Sequence, residues 1–94
     1  MAAYKVILVK VHDPEGFAAF SEIGRAAMER CGGELVFRSD ECVTVLNEGL
    51  DTDCLIIQKF PDVASARAAR DDAEHREARA KYASAFTRHV IVGS

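Results

Sequence analysis

Asp72, His75 and Tyr82 stand at helical spacing in one stretch of the chain, and together they could move a proton to or from an oxygen. Histidine changes charge near neutral pH, which makes His75 a natural general acid or base. Asp72 could orient the imidazole or act as a carboxylate base. Tyr82, seven positions beyond His75 and on the same helical face, could donate a hydrogen bond to a substrate oxygen. Arg38 could hold a carboxylate or phenolate with its planar fork. His12, at the end of the first strand, would stand at a pocket mouth. Each has a plainer role: a packed histidine, a helix N-cap, a core tyrosine, an arginine paired with Asp40, Glu41 or Glu48, and a solvated turn histidine. Glu48 reads as loop solvation, Arg79 and Lys81 as surface charges, and His89 carries no assignment.

Other chemistries lack their residues. The histidines fall at 12, 75 and 89 with no HxxxH or HxH spacing, so no metal set is expected. Haem needs one axial histidine, but so short a chain leaves little wall to enclose it. Gly32-Gly33 is followed by a strand, the reverse of a phosphate-cradling loop, and no nucleophile elbow occurs. No cofactor is expected.

The elements that must position these residues follow from periodicity. Tyr4–Val11 (YKVILVKV) is a β-branched strand with two largely apolar faces, as expected in a sheet covered on both sides. Asp13-Pro14-Glu15 starts a helix. Its apolar stripe is Phe17, Phe20, Gly24, Ala27, Met28 and Cys31, and Gly32-Gly33 stops it. Glu34–Arg38 and Cys42–Leu46 read as strands joined by a short hairpin at Ser39-Asp40-Glu41. A polar loop follows over residues 47–53, then a strand at Cys54–Phe60. Asp62 caps a second helix. Asp71-Asp72 breaks it and caps a third stretch from Ala73 to about Phe86, where His75, Ala78, Tyr82 and Phe86 share a face. Asp72–Arg76 and Glu77–Lys81 are expected as i,i+4 ion pairs. His89–Val92 closes the chain as a strand, and no repeat or linker interrupts it.

Composition bounds the function. The 94 residues make one domain, from 1 to 94, and so short a chain buries only about 60–65% of its unfolded surface. Hydrophobic residues are 49%, charged residues 29% and the net charge −3, which gives no global field for nucleic acid or an anionic membrane. Arg67, Arg70, Arg76 and Arg79 alternate with acids and read as a solvated mixed-charge face. Three cysteines without a CxxC pair read as buried, reduced thiols. With no apolar run long enough for a membrane and no signal-peptide pattern, a cytoplasmic location is expected.

The order β-α-β-β-α-β, with its second helix broken, is ferredoxin-like: an antiparallel sheet with both helices on one face. The other face would be an apolar patch too large to leave in water, so a homodimer enclosing it is expected.

The order and spacing of Tyr4–Val11, Asp13-Pro14-Glu15, Phe20, Gly32-Gly33, Arg38, Leu46, Glu48-Gly49, Phe60-Pro61, Ala64–Ala66 and Val90–Gly93 resemble the bacterial domain-of-unknown-function family numbered 1330. The resemblance spans nearly the whole chain and implies a dimeric α/β barrel. It also marks departures. Ala69-Arg70 stands where the family tends to have an aromatic pair. Asp72-Ala73-Glu74-His75 replaces a Ser-Pro-Glu-Tyr turn that borders the pocket in such folds. Related barrels include cofactor-free monooxygenases, muconolactone isomerases, polyketide cyclases, haem proteins resembling chlorite dismutase, and stress-responsive binding domains, among which fold does not choose.

These residues suit a small cofactor-free enzyme doing cyclisation, isomerisation or other proton transfer on a hydrophobic, oxygen-bearing molecule. His75 would move the proton, Asp72 would orient it, and Arg38 or Tyr82 would hold an enolate or phenolate oxygen. The rival readings are a non-catalytic small-molecule-binding or stress-responsive homodimer and a cofactor-free monooxygenase.

Overall fold

Alternating burial along the first strand sets the architecture. In the computed structural model, which describes residues 1–47 and 49–94, β1 spans Ala3–Val11 and buries Ala3, Lys5, Ile7 and Val9 on one face. The chain continues through α1 (Pro14–Arg30), β2 (Glu34–Ser39), β3 (Cys54–Phe60), α2 (Val63–Asp71), α3 (Ala73–Lys81), a 3₁₀ turn at Ala83–Ala85 and β4 (Phe86–Gly93). The four strands form one antiparallel sheet in the order β2-β3-β1-β4. This is the ferredoxin-like arrangement, with all three helices on the face that carries Ile7 and Val9.

The apolar stripe of α1 supplies the core. Phe17 and Phe20 pack with Ile7, Val9, Cys54, Ile56 and Ala78, while Met28 packs with Phe60, Ala66 and Ala69. The helix ends in a Schellman motif. Gly32 donates to Glu29 O (3.1 Å) and Gly33 to Met28 O (2.9 Å), with Gly32 at φ +77°. Gly33 is required for a different reason: a Cβ there would lie 2.6 Å from both Met28 Cγ and Phe60 Cε1. Because Phe60 is wholly buried, neither neighbour has room to yield. Gly33→Ala is expected to cost about 1–3 kcal/mol of stability, read as a lower urea midpoint with unchanged slope.

Several sequence expectations give way here. Cys42–Leu46 forms no strand, and no hairpin forms at 39–41, because β2 pairs directly with β3 and leaves CVTVL no strand to bond. Leu46 is accordingly exposed. The described residues between 40 and 53 instead loop out between two anchors. Asp53 Oδ2 accepts from Val11 N (2.9 Å), and Cys54 Sγ donates to Asp40 Oδ1 (3.0 Å). Glu48 lies outside the described residues. The third helix ends at Lys81 rather than near Phe86, and β4 begins at Phe86 rather than His89, which brings Arg88 into the sheet. Asp13 stands at the α1 N-cap but makes no side-chain capping bond. Cys54 is buried, Cys31 half-buried and Cys42 exposed, so burial holds for only one thiol.

The opposite face of the sheet is apolar and uncovered. By strand register it carries Tyr4, Val6, Leu8, Leu55, Ile57 and Ile91, with Tyr4 46% and Ile91 69% exposed.

Candidate functional site

A cavity of about 190 Å³ lies between the helices and the covered face of the sheet, inside a single chain. Phe17, Phe20, Met28, Leu35 and Ile56 make its walls apolar, while Lys5, Gln58, Arg88, Arg38 and His75 bring polar groups to it, and Ser21 and the exposed Glu22 and Arg25 of α1 border it. Lys5, Gln58 and Arg88 converge because the ladder pairs them. Lys5 stands opposite Gln58 of β3, and Val9 stands opposite Arg88 of β4, so all three side chains leave the sheet on the helix side. Arg38 joins them through an irregularity. A bulge between Leu35 and Phe37 lets Leu35 and Arg38, three positions apart, share that face.

Lys5 is 5% exposed and has no hydrogen bond or ion pair among the described residues. Its ammonium lies 5.9 Å from the centroid of the Phe60 ring. Burial, then the charges of Arg88, Arg79 and Arg70, push its pKa down to about 8. Arg88 lies over the Phe20 ring, 5.0 Å from its centroid, and is likewise without a carboxylate partner among the described residues. Gln58 Oε1 is buried and accepts no hydrogen bond among the described residues. Lys5 and Arg88 thus reach an apolar chamber without an ion-pair partner among the described residues, an arrangement that favours an anion beside them because each lacks the counterion that would offset its desolvation.

His75 sits at the back of the cavity, 4% exposed, its ring edge-to-face with Phe20 at 5.3 Å between centroids. Burial, then Arg88, Arg79 and Lys5, pull its pKa down to about 4, so it is neutral at pH 7. Arg79 Nη1 donates to His75 Nδ1. An arginine can only donate, so Nδ1 is the bare nitrogen and Nε2 carries the proton. The imidazole is therefore a neutral hydrogen-bond donor, and its basic lone pair is already engaged.

The other expected residues do not join it. Asp72 caps α3, accepting from His75 N (3.2 Å), and pairs with Arg30 Nη2 (2.8 Å). It meets the histidine's backbone rather than its ring. The Arg30 hydrogen bond holds the carboxyl below its usual range. Asp72→Ala is expected to cost about 1 kcal/mol in chemical denaturation while leaving binding in the cavity unchanged. Neither the Asp72–Arg76 nor the Glu77–Lys81 pair forms among the described residues. Tyr82 caps the C-terminus of α3, donating its N–H to Ala78 O, and packs at the core edge with Lys81 over its ring. His12 Nε2 meets Thr87 Oγ1 at 2.9 Å on an exposed surface. Arg38 does line the cavity, but its Nε is engaged by Asp40 at 3.0 Å. Among the described residues no cluster of metal-ligating side chains occurs.

The DUF1330 family, a domain of unknown function, matches residues 2–93. The chain belongs to that family. No curated protein matches this DUF1330 chain. Among solved structures, a protein of unknown function from Rhodopseudomonas palustris is similar at 22% identity over 98% of this chain and 80% of the other, with a TM-score of 0.77. SnoaB, a cofactor-independent oxygenase from Streptomyces nogalater, is similar at 16% identity over 99% and 91%, with a TM-score of 0.69. A dimeric ferredoxin-like protein of unknown function from Thermobifida fusca matches at 18% identity over 100% and 91%, with a TM-score of 0.56. At these identities the likeness establishes the fold.

Three polar residues of the DUF1330 cavity escape a reading by residue type and spacing: Lys5, Gln58 and Arg88. Lys5 alone carried a usable signal, being the one charge on the Lys5-Ile7-Val9-Val11 face of a strand whose two faces are both largely apolar.

Proposed function

We propose that this protein is a cofactor-free enzyme that holds a small apolar molecule in the cavity and stabilises it as an enolate or phenolate. Lys5 transfers the proton, and Arg88 and the Nε2–H of His75 receive the developing oxyanion. The observation that carries this reading is Lys5, buried in apolar surroundings without a counterion. With a pKa near 8, about a tenth of Lys5 is the neutral amine at pH 7 and can take a proton from carbon or oxygen. Once charged, it faces the anion it has made, in a site where such attraction is far stronger than in water. Isomerisation and cyclisation both run through such an anion. Arg38, tied to Asp40, is left to border the ligand, and Tyr82, His12 and Asp72 act in structure.

SnoaB's description as a cofactor-independent oxygenase supports a second use of the same anion, since an electron-rich enolate is the form that reacts directly with dioxygen. A binder without turnover would need the same cavity. The apolar outer sheet face is proposed to pair with a second copy, a reading supported by the dimeric Thermobifida fusca neighbour.

Titration of 4-nitrophenol tests the central claim. At a pH below the phenol's own pKa, excess protein is expected to raise the yellow phenolate absorbance. No rise at any protein concentration would overturn the reading.

A further inference from the structure

The cations of the cavity do not end at its wall. A second cleft, about 380 Å³, runs between α2 and β4 and is lined by Arg67 and Arg70, by Val90–Val92, and by the same Lys5 and Arg88. Arg67 and Arg70 are three positions apart on α2, so both guanidinium groups leave the same side of the helix. Among the described residues no carboxylate lines this cleft, and none of its four cations is ion-paired. Arg79, spanning to Arg70 O at 2.7 Å, adds a further positive charge behind them. Two of the acids that alternate with these arginines in sequence, Asp72 and Glu74, go to Arg30, while Asp71 acts on Arg79 and does not line the cleft. On a chain of net charge −3, this local excess is a property of the fold, not of composition.

We propose that this cleft is a second binding site, for the phosphoryl group of a small phosphorylated molecule. A single carboxylate would leave most of the cations unneutralised, whereas a compact group with several charged oxygens can face Arg67, Arg70, Lys5 and Arg88 together. Planar guanidinium forks match phosphate oxygens two at a time. The fully buried Lys5 gives the site a fixed floor, and the exposed arginines give it an entrance. The site requires only the cleft and stands apart from the proton-transfer reading. Through the shared Lys5 and Arg88, however, a phosphoryl group bound here would lie beside a ligand in the inner cavity.

Calorimetric titration with inorganic pyrophosphate at low ionic strength tests this on the full chain, with succinate as a dianion of different shape. Pyrophosphate is expected to bind at one site per chain, and the exposed double variant Arg67→Gln/Arg70→Gln is expected to weaken it roughly tenfold or more. A cooperative thermal transition of that variant, expected within a few degrees of the wild type, reports that the fold survives. Undetectable pyrophosphate binding, equal affinity in the double variant, or succinate binding as tightly as pyrophosphate would each overturn the site. Arginine-dependent pyrophosphate binding without any nitrophenol response would uphold the site and sink the cavity reading instead.

Discussion

Lys5→Met is expected to make the protein more stable and less capable at once. The folded chain holds this lysine with a pKa near 8, against 10.5 for the free side chain. Between pH 8 and 10.5 Lys5 therefore holds more protons in the unfolded state than in the folded one, and its contribution to stability rises with pH across that window. Below pH 8 the native state carries the full cost of a buried charge, on the order of 3 kcal/mol. Methionine fills similar space with no charge to desolvate. At pH 7 the variant should melt roughly 12–24 °C higher, given the 4–8 °C per kcal/mol usual for a domain of this size. The rise that Lys5 contributes from pH 8 should be gone, leaving the fall from about pH 9 set by the buried Cys54 thiol, pushed up to about 12, and the 4-nitrophenolate signal should vanish. Thermal unfolding at several pH values reads the first two, and absorbance reads the third. A variant that melts lower, or keeps the phenolate signal, would refute the account of Lys5.

His75 sets the opposite end of the pH range. Its pKa near 4 in the folded chain, against 6.5 when free, means that the unfolded state takes up a proton first as pH falls. Stability is intact above pH 6.5 and is lost progressively between 6.5 and 4, again by about 3 kcal/mol, a large share of the total for a small domain. The causes are visible around the ring. Helix α1 and Phe20 deny it water, Arg88 and Lys5 approach from the sheet, and Arg79 occupies Nδ1, while Asp72 offers only weak compensation. The carboxylates held below their usual range, Asp40, Asp53, Asp62 and Asp72, give way only at lower pH. Denaturant midpoints from pH 7 to 4 should therefore fall steeply for the wild type and stay nearly level for His75→Gln. Parallel curves would show that another group drives the acid transition.

Local rules made most of the scaffold legible. The stripe of α1, the glycine stop after it and the two-sided apolar character of β1 each follow from chemistry contained in a few neighbouring residues, and each stands in the fold. Pairing is not local. CVTVL has the composition of a strand but no strand beside it, so propensity alone misplaced an element. The cavity was legible only in part for the same reason. Arg38, named from its chemistry, does line the cavity, but through a bulge that no alternation pattern reveals, and Arg88 enters because β4 starts earlier than its β-branched run suggests. His75 was visible as a polar residue on an apolar helix face. Its state was not, because Arg79, one turn along, decides which nitrogen carries the hydrogen. The arginines of α2 and α3 looked neutralised in sequence, yet two of the interleaved acids, Asp72 and Glu74, turn to Arg30.

The alternation of β1 divides the labour of the molecule by parity. Lys5, Ile7 and Val9 belong to the cavity, and Tyr4, Val6 and Leu8 to the uncovered face, so two messages are written on alternate letters of one word. On the proposed reading, substitution at odd positions would retune the ligand without touching the pairing of copies, and at even positions the reverse. Such a strand tolerates point mutation readily but not a one-residue insertion, which would exchange the two messages and carry the lysine out of its chamber. Variation in this lineage is therefore expected to change the letters of β1 and never their count, leaving insertions to residues 40–53.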